Sequence, residues 1–103
     1  MRLEWSAFAF ADRMAIFDDI EADSPRAAVA VDDRIQDCVE KLTRFPEMGR
    51  PGRIEGTREL VISRTPYIAD YRISGDTVRI LRVLHGALQW PEGMLDEPPV
   101  QLA

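Results

Sequence analysis

One histidine and seven arginines set the chemistry open to the second half of this chain, residues 46–90. His85 closes the run Val78–His85, and an imidazole titrates near neutrality, so it can serve as acid or base. Arg58, Arg64, Arg72, Arg79 and Arg82 lie on or beside three runs rich in Val, Ile, Tyr and Leu. Guanidinium forks in such numbers suit a phosphate or a carboxylate. Tyr67, Tyr71 and Trp90 add flat aromatic surfaces. Every one of these groups also has a structural use. A histidine at a strand end is often a hydrogen-bonded fixture, large aromatics dominate core burial, and strand arginines pair across a sheet or solubilise it. Arg72 and Arg79 have Asp70, Asp76 and Glu59 as available cross-strand partners.

Strands must position these groups. Arg58–Ser63, Tyr67–Ile73 and Val78–His85 carry β-branched and aromatic side chains between turn residues. Ser74-Gly75-Asp76 divides the second run from the third, with glycine free to take a positive φ. Thr65-Pro66 divides the first from the second, and the proline withholds a ladder donor. The expectation is a three-stranded antiparallel meander. Strict alternation puts Val78, Ile80, Arg82 and Leu84 on one face of the last run, opposite Arg79, Leu81, Val83 and His85. Both of its faces are mostly apolar, as in a strand paired on both edges.

The first half reads as cover for that sheet. Leu3 and Trp5 alternate with Arg2 and Glu4, which predicts a short N-terminal strand at a sheet edge. Ser6 then caps a helix running to about Ala22. Phe10, Met14 and Phe17, with Ile16 and Ile20, recur at three and four residues and are expected to form its inward stripe. Ser24-Pro25 starts a second helix in which Ala27, Ala28, Val31, Ile35, Cys38, Val39 and Leu42 form the apolar stripe. Phe45-Pro46 ends it. The short connection makes the two an antiparallel hairpin. The architecture expected is therefore two-layer α+β: an N-terminal strand and a helical hairpin packed on the C-terminal meander.

At 103 residues the chain holds one modest core. Residues 1–91 read as one domain, and 92–103 as an acidic tail with Pro98-Pro99 and the apolar anchors Met94, Leu95 and Leu102. One cysteine forms no internal disulfide, and one Cys with one His gives no zinc spacing. No motif calls for a metal or a cofactor. No apolar run has the length of a membrane span, and the N-terminus has no signal-peptide pattern, so a cytoplasmic setting is expected. The net charge of −5 is unevenly spread. Residues 1–45 carry ten acids and six bases, residues 46–90 five acids and seven arginines, and residues 91–103 three acids and no base. The chain as a whole lacks the basic footprint of a nucleic-acid binder.

Four stretches together carry a resemblance: Leu42-Thr-Arg-Phe-Pro-Glu-Met-Gly-Arg-Pro-Gly52, Gly56-Thr-Arg-Glu-Leu-Val-Ile62, Pro66-Tyr-Ile with Tyr71-Arg-Ile, and Ile80-Leu-Arg-Val-Leu-His-Gly-Ala87. In order and spacing they resemble the RelE/ParE family of type II toxins over roughly residues 1–91. The resemblance implies a small cytoplasmic toxin with a cognate antitoxin as partner, reaching operator DNA only through that antitoxin. The family divides by target. A RelE-like member is a ribosome-dependent mRNA endoribonuclease, for which Arg58, Arg82 and His85 would be the catalytic group, with Arg64, Tyr67, Arg72 and Trp90 as binding residues. A ParE-like member acts on DNA gyrase. Nucleases of the family often carry an arginine shortly before the second-strand tyrosine, but here Ile68-Ala69-Asp70 precede Tyr71, and the C-terminus is acidic rather than basic. Both features lean toward gyrase. An inactive module that retains only antitoxin binding is the third reading.

Overall fold

The computed structural model describes residues 1–87. Trp90 and the tail 92–103 lie outside the described residues. The elements are β1 (Arg2–Trp5), α1 (Ala7–Glu21), α2 (Pro25–Glu40), a 3-10 turn (Lys41–Thr43), β2 (Arg50–Pro51), β3 (Arg58–Val61), β4 (Tyr67–Ser74) and β5 (Thr77–His85). Their fold is α+β. The helix starts follow from the caps read in the sequence. Ser6 Oγ accepts from the Ala9 N–H at 3.0 Å, and Ser24 Oγ from the Ala27 N–H at 3.1 Å, each satisfying an amide that the first turn leaves open. Pro25 occupies the first turn of α2. That helix ends at Glu40 and tightens into the 3-10 turn, several residues before Phe45-Pro46.

The meander is present as β3, β4 and β5, but it is the middle of a larger, mixed sheet of order β1-β5-β4-β3-β2. β1 runs parallel to β5 with Leu3 opposite Val78 and Trp5 opposite Ile80, so β5 is paired on both sides there. The two-residue β2 closes the other side against Arg58 and Glu59. Gly75 supplies the β4–β5 reversal with φ +59°.

The face that meets the helices bears Leu60, Ala69, Tyr71, Val78, Ile80 and Val83, packed with Ile35, Cys38, Val39 and Leu42. The alternation expected for β5 fails at Leu81. Tyr71 faces Ile80 while Asp70 faces Arg82, leaving Leu81 as the extra residue of a bulge. One extra residue reverses the parity of everything after it, so Val83 and His85 join the face of Val78 and Ile80. The bulge lies where β1 ends and the chain turns into α1. Ser6 Oγ donates to the Leu81 carbonyl at 2.9 Å, and Asp12 Oδ2 accepts the Val83 N–H at 3.0 Å. α1 thus satisfies strand groups of β5 that β1 is too short to reach.

The expected inward stripe of α1 is also corrected. Phe10 and Met14 are 57% and 52% exposed, whereas Ala9 is fully buried and Ile16 packs on the core. α1 touches β5 closely through a small residue, and the large side chains at positions 10 and 14 are turned away from that contact.

Candidate functional site

Of the seven residues singled out in the sequence, the six that lie among the described residues fall into separate environments. Arg58 shares the helix-facing side with Tyr71, and its Nη1 donates to the Gly49 carbonyl at 2.8 Å and the Glu47 carbonyl at 3.2 Å. The Tyr71 hydroxyl completes the same corner, donating to the Pro46 carbonyl at 2.7 Å and accepting the Gly49 N–H at 3.0 Å. A Cβ on Gly49 would lie 2.6 Å from that hydroxyl, so only glycine lets the loop close over Tyr71. Arg82 forms a fork on Asp12, with Nε and Nη2 at 2.7 and 2.9 Å from its two oxygens, and lies 5.7 Å from the Phe8 ring. Both partners are largely buried, which is the geometry in which a charged fork is worth most.

His85 and Tyr67 are brought together. They are cross-strand partners whose rings meet edge to face at 5.9 Å. His85 Nδ1 accepts the Ala87 N–H at 3.1 Å. Arg64 is exposed in the turn before Tyr67, held at φ +60°, a left-handed conformation unusual for a residue with a side chain. Arg72 is exposed on the opposite face, directly across from Arg79. Arg79 itself binds Glu4 of β1 at 2.6 Å, a partner the sequence reading did not name. From the Tyr67–His85 pair to the Arg58–Tyr71 pair is four residues of β4, roughly 13 Å at about 3.3 Å per residue. Arg58 is therefore held away from the imidazole, and both Arg58 and Arg82 are engaged by acceptors within the fold. Among the described residues no cluster of three or more His, Cys, Asp or Glu side chains is placed to ligate a metal.

The face opposite the helices holds a feature that the strand pattern contained but that was not recognised there. Glu59 and Asp70 are directly opposed on β3 and β4, and they are 2% and 0% exposed. Glu59 is well supplied: Arg50 at 3.2 Å, and the Arg53 backbone N–H and Nε at 3.0 and 3.3 Å. Among the described residues, neither oxygen of Asp70 accepts a hydrogen bond. The Thr57 hydroxyl is near enough to favour the carboxylate, but it donates to the Ile54 carbonyl at 2.6 Å. Burial pushes Asp70 from 3.8 to about 7, and the adjacent Glu59 charge adds to this against the pull of Thr57, Arg72 and Arg53.

The second unrecognised feature is apolar. Phe10, Met14 and Phe17 border a surface groove of about 380 Å3 together with Arg13, Asp18 and Asp32. Arg13 forms its polar wall, bound to both oxygens of Asp32 at 2.6 and 3.0 Å and set 5.0 Å from the Trp5 ring. The three- and four-residue spacing was visible in the sequence, but nothing local told an inward stripe from an outward one.

Comparison with known proteins agrees with this architecture. Residues 3–90 match the family described as ParE toxin of type II toxin-antitoxin system, parDE. The chain is 47% identical over 91 residues to the Sinorhizobium fredii protein named "Putative toxin Y4kP", covering 88% of this chain and 94% of that one. It is 36% identical over 83 residues to the Caulobacter vibrioides protein named Toxin RelE2, covering 81% and 92%. A solved structure titled "Chromosomal ParDE TA system from P. aeruginosa" superposes with a TM-score of 0.75 at 32% identity, over 82% of this chain and 95% of that one. The chain belongs to the ParE toxin family of type II toxin–antitoxin systems, within the wider RelE/ParE group.

Proposed function

We propose that this toxin inhibits growth in the cytoplasm by acting on DNA gyrase and is neutralised by a cognate antitoxin. The observation that carries this reading is the dispersal of its candidate nuclease groups. Cleavage by a ribose 2′-hydroxyl needs an acid, a base and cationic charge converging on one phosphate, within hydrogen-bond reach of the reacting atoms. Here Arg58 is directed to loop carbonyls and Arg82 to Asp12, while His85 stands at the far end of its strand. The arrangement supports action through a protein surface rather than through phosphodiester chemistry. In a supercoiling assay with purified gyrase, the chain inhibits at stoichiometric levels and the antitoxin restores activity. Full supercoiling at a large excess of an active preparation overturns the gyrase assignment.

The ribosome-dependent endoribonuclease keeps one observation in its favour, the contact of Tyr67 with His85 beside the exposed Arg64. On that reading His85→Ala and Arg64→Ala each abolish transcript cleavage in cells. On the gyrase reading neither substitution changes growth arrest.

A further inference from the structure

The loop 52–57 between β2 and β3 closes on itself over the buried carboxyl pair. The Gly52 N–H donates to the Thr57 carbonyl at 2.8 Å, and the Thr57 N–H to the Ile54 carbonyl at 3.1 Å. A Cβ on Gly52 would collide with the Thr57 hydroxyl. Arg53 ties this loop to the sheet. Its backbone N–H and Nε hold Glu59, and its Nη2 donates to the Gly86 carbonyl at 3.1 Å. The loop is thereby fastened to the end of β5, beside the Tyr67–His85 contact.

The charged groups around Asp70 come from every element packed against it. Glu59 stands directly across on β3, and Arg82 directly across on β5, forked on Asp12 of α1. Arg72 follows two residues along β4, opposite Arg79, while Arg50 reaches Glu59 from β2. From the loop, Arg53 and the Thr57 hydroxyl both favour the charged form of Asp70, yet they are bonded elsewhere, to Gly86 and to Ile54. Among the described residues neither Asp70 oxygen accepts a bond, although the side chain has no exposed surface. That arrangement suits a neutral carboxyl and not a carboxylate. Loss of the proton therefore offers the loop's two donors a competing acceptor.

We propose that Asp70 is a proton-operated latch on the 52–57 loop. Protonated, it leaves the loop closed as seen here. Once the proton passes to solvent water, the Thr57 hydroxyl and the Arg53 guanidinium turn to the carboxylate, and the Ile54 and Gly86 carbonyls lose those donors. The closed form holds the proton to about pH 7, and bonding to the carboxylate in the open form draws the working midpoint down from there. The latch thus joins a buried proton to the end of β5, and it does so whatever the toxin's target.

The test is carbon-13 NMR of the folded full-length chain from about pH 4 to 8.5, following the Asp70 carboxyl together with the Ile54 and Gly86 carbonyls. An imidazole also titrates near neutrality and His85 adjoins Gly86, so the series is run in His85→Gln as well as in the wild type. The expected result is that all three carbons follow one single-proton curve, with a midpoint between 3.8 and about 7. The two carbonyls should move in the direction of a lost hydrogen bond, and the curve should survive in His85→Gln. In Asp70→Asn both carbonyls should stay flat across the range. In Glu59→Gln the midpoint should move down, because the Glu59 charge is one of the causes that raise it. Carbonyls that stay flat while Asp70 titrates overturn the latch. So does a carbonyl curve that persists in Asp70→Asn or vanishes in His85→Gln. If Asp70→Asn does not fold, an unmoved midpoint in Glu59→Gln overturns it equally.

Discussion

Asp70→Asn removes one of the two facing carboxyl groups under the sheet and keeps its shape. In the folded chain Asp70 holds its proton up to about pH 7, whereas a free side chain releases it near 3.8. Between those values the folded state binds more protons than the unfolded state, so this group makes the protein less stable as pH rises through the window. Each pKa unit corresponds to about 1.4 kcal/mol, and the contribution lost between pH ~4 and ~7 is on the order of 4 kcal/mol. Above pH 7 Asp70 carries a buried charge beside Glu59, with no bond to either of its oxygens among the described residues. Asparagine carries no charge there, and its amide can donate to Glu59 across the strand pair. The expected outcome is near-equal stability of the two proteins at pH 4 and a more stable variant at pH 8. With about 4–8 °C in melting temperature per kcal/mol for a domain of this size, a separation of roughly 10 °C or more should develop. Urea and thermal unfolding from pH 4 to 8.5 measure it, and the difference between the two proteins cancels the other carboxylates. Parallel curves across that range would show that the proton is not held at Asp70 and would refute the reasoning.

Three further substitutions report on the supports of the fold. Tyr71→Phe removes the hydroxyl shared by the Pro46 carbonyl and the Gly49 N–H, and should cost about 1–3 kcal/mol in urea unfolding, with faster hydrogen exchange at Gly49. Ser6→Ala loses both the α1 cap and the bond to Leu81, for about 1–2 kcal/mol by the same measurement. Arg64→Gly relieves the left-handed backbone at φ +60°. It should leave stability unchanged or raise it by up to about 1 kcal/mol, because the strain of a side chain there outweighs glycine's greater freedom when unfolded.

What could be read in advance was what short-range chemistry decides. Ser6 and Ser24-Pro25 announced the helix starts, Gly75 the last reversal, and Cys38 lay where a small buried thiol was expected. Three things were decided at longer range. The parallel pairing of β1 with β5 joins residues 75 apart, such as Leu3 and Val78, and no local pattern encodes it. The Leu81 bulge exists because α1 takes over the β5 edge at that point, and it moved Val83 and His85 to the other face. Phe10 and Met14 of the α1 stripe point outward because contact with β5 is made through Ala9, while Ile16 packs on the core. Of the candidate groups, Tyr67 and His85 could be paired once strand register was known, whereas the turning of Arg82 to Asp12 depended on where α1 lies. The opposed Glu59 and Asp70 were legible in principle, as two acids at matching positions of consecutive strands, but their burial was not.

Expression of this chain alone in growing bacteria, with transcript cleavage and the DNA-damage response read in the same culture, tests the target assignment most directly. The account predicts growth arrest with an induced damage response and intact transcripts, relieved by the antitoxin. Cuts within translated reading frames without a damage response, lost in His85→Ala, would contradict it and return the Tyr67–His85 end of the sheet to the centre of the mechanism.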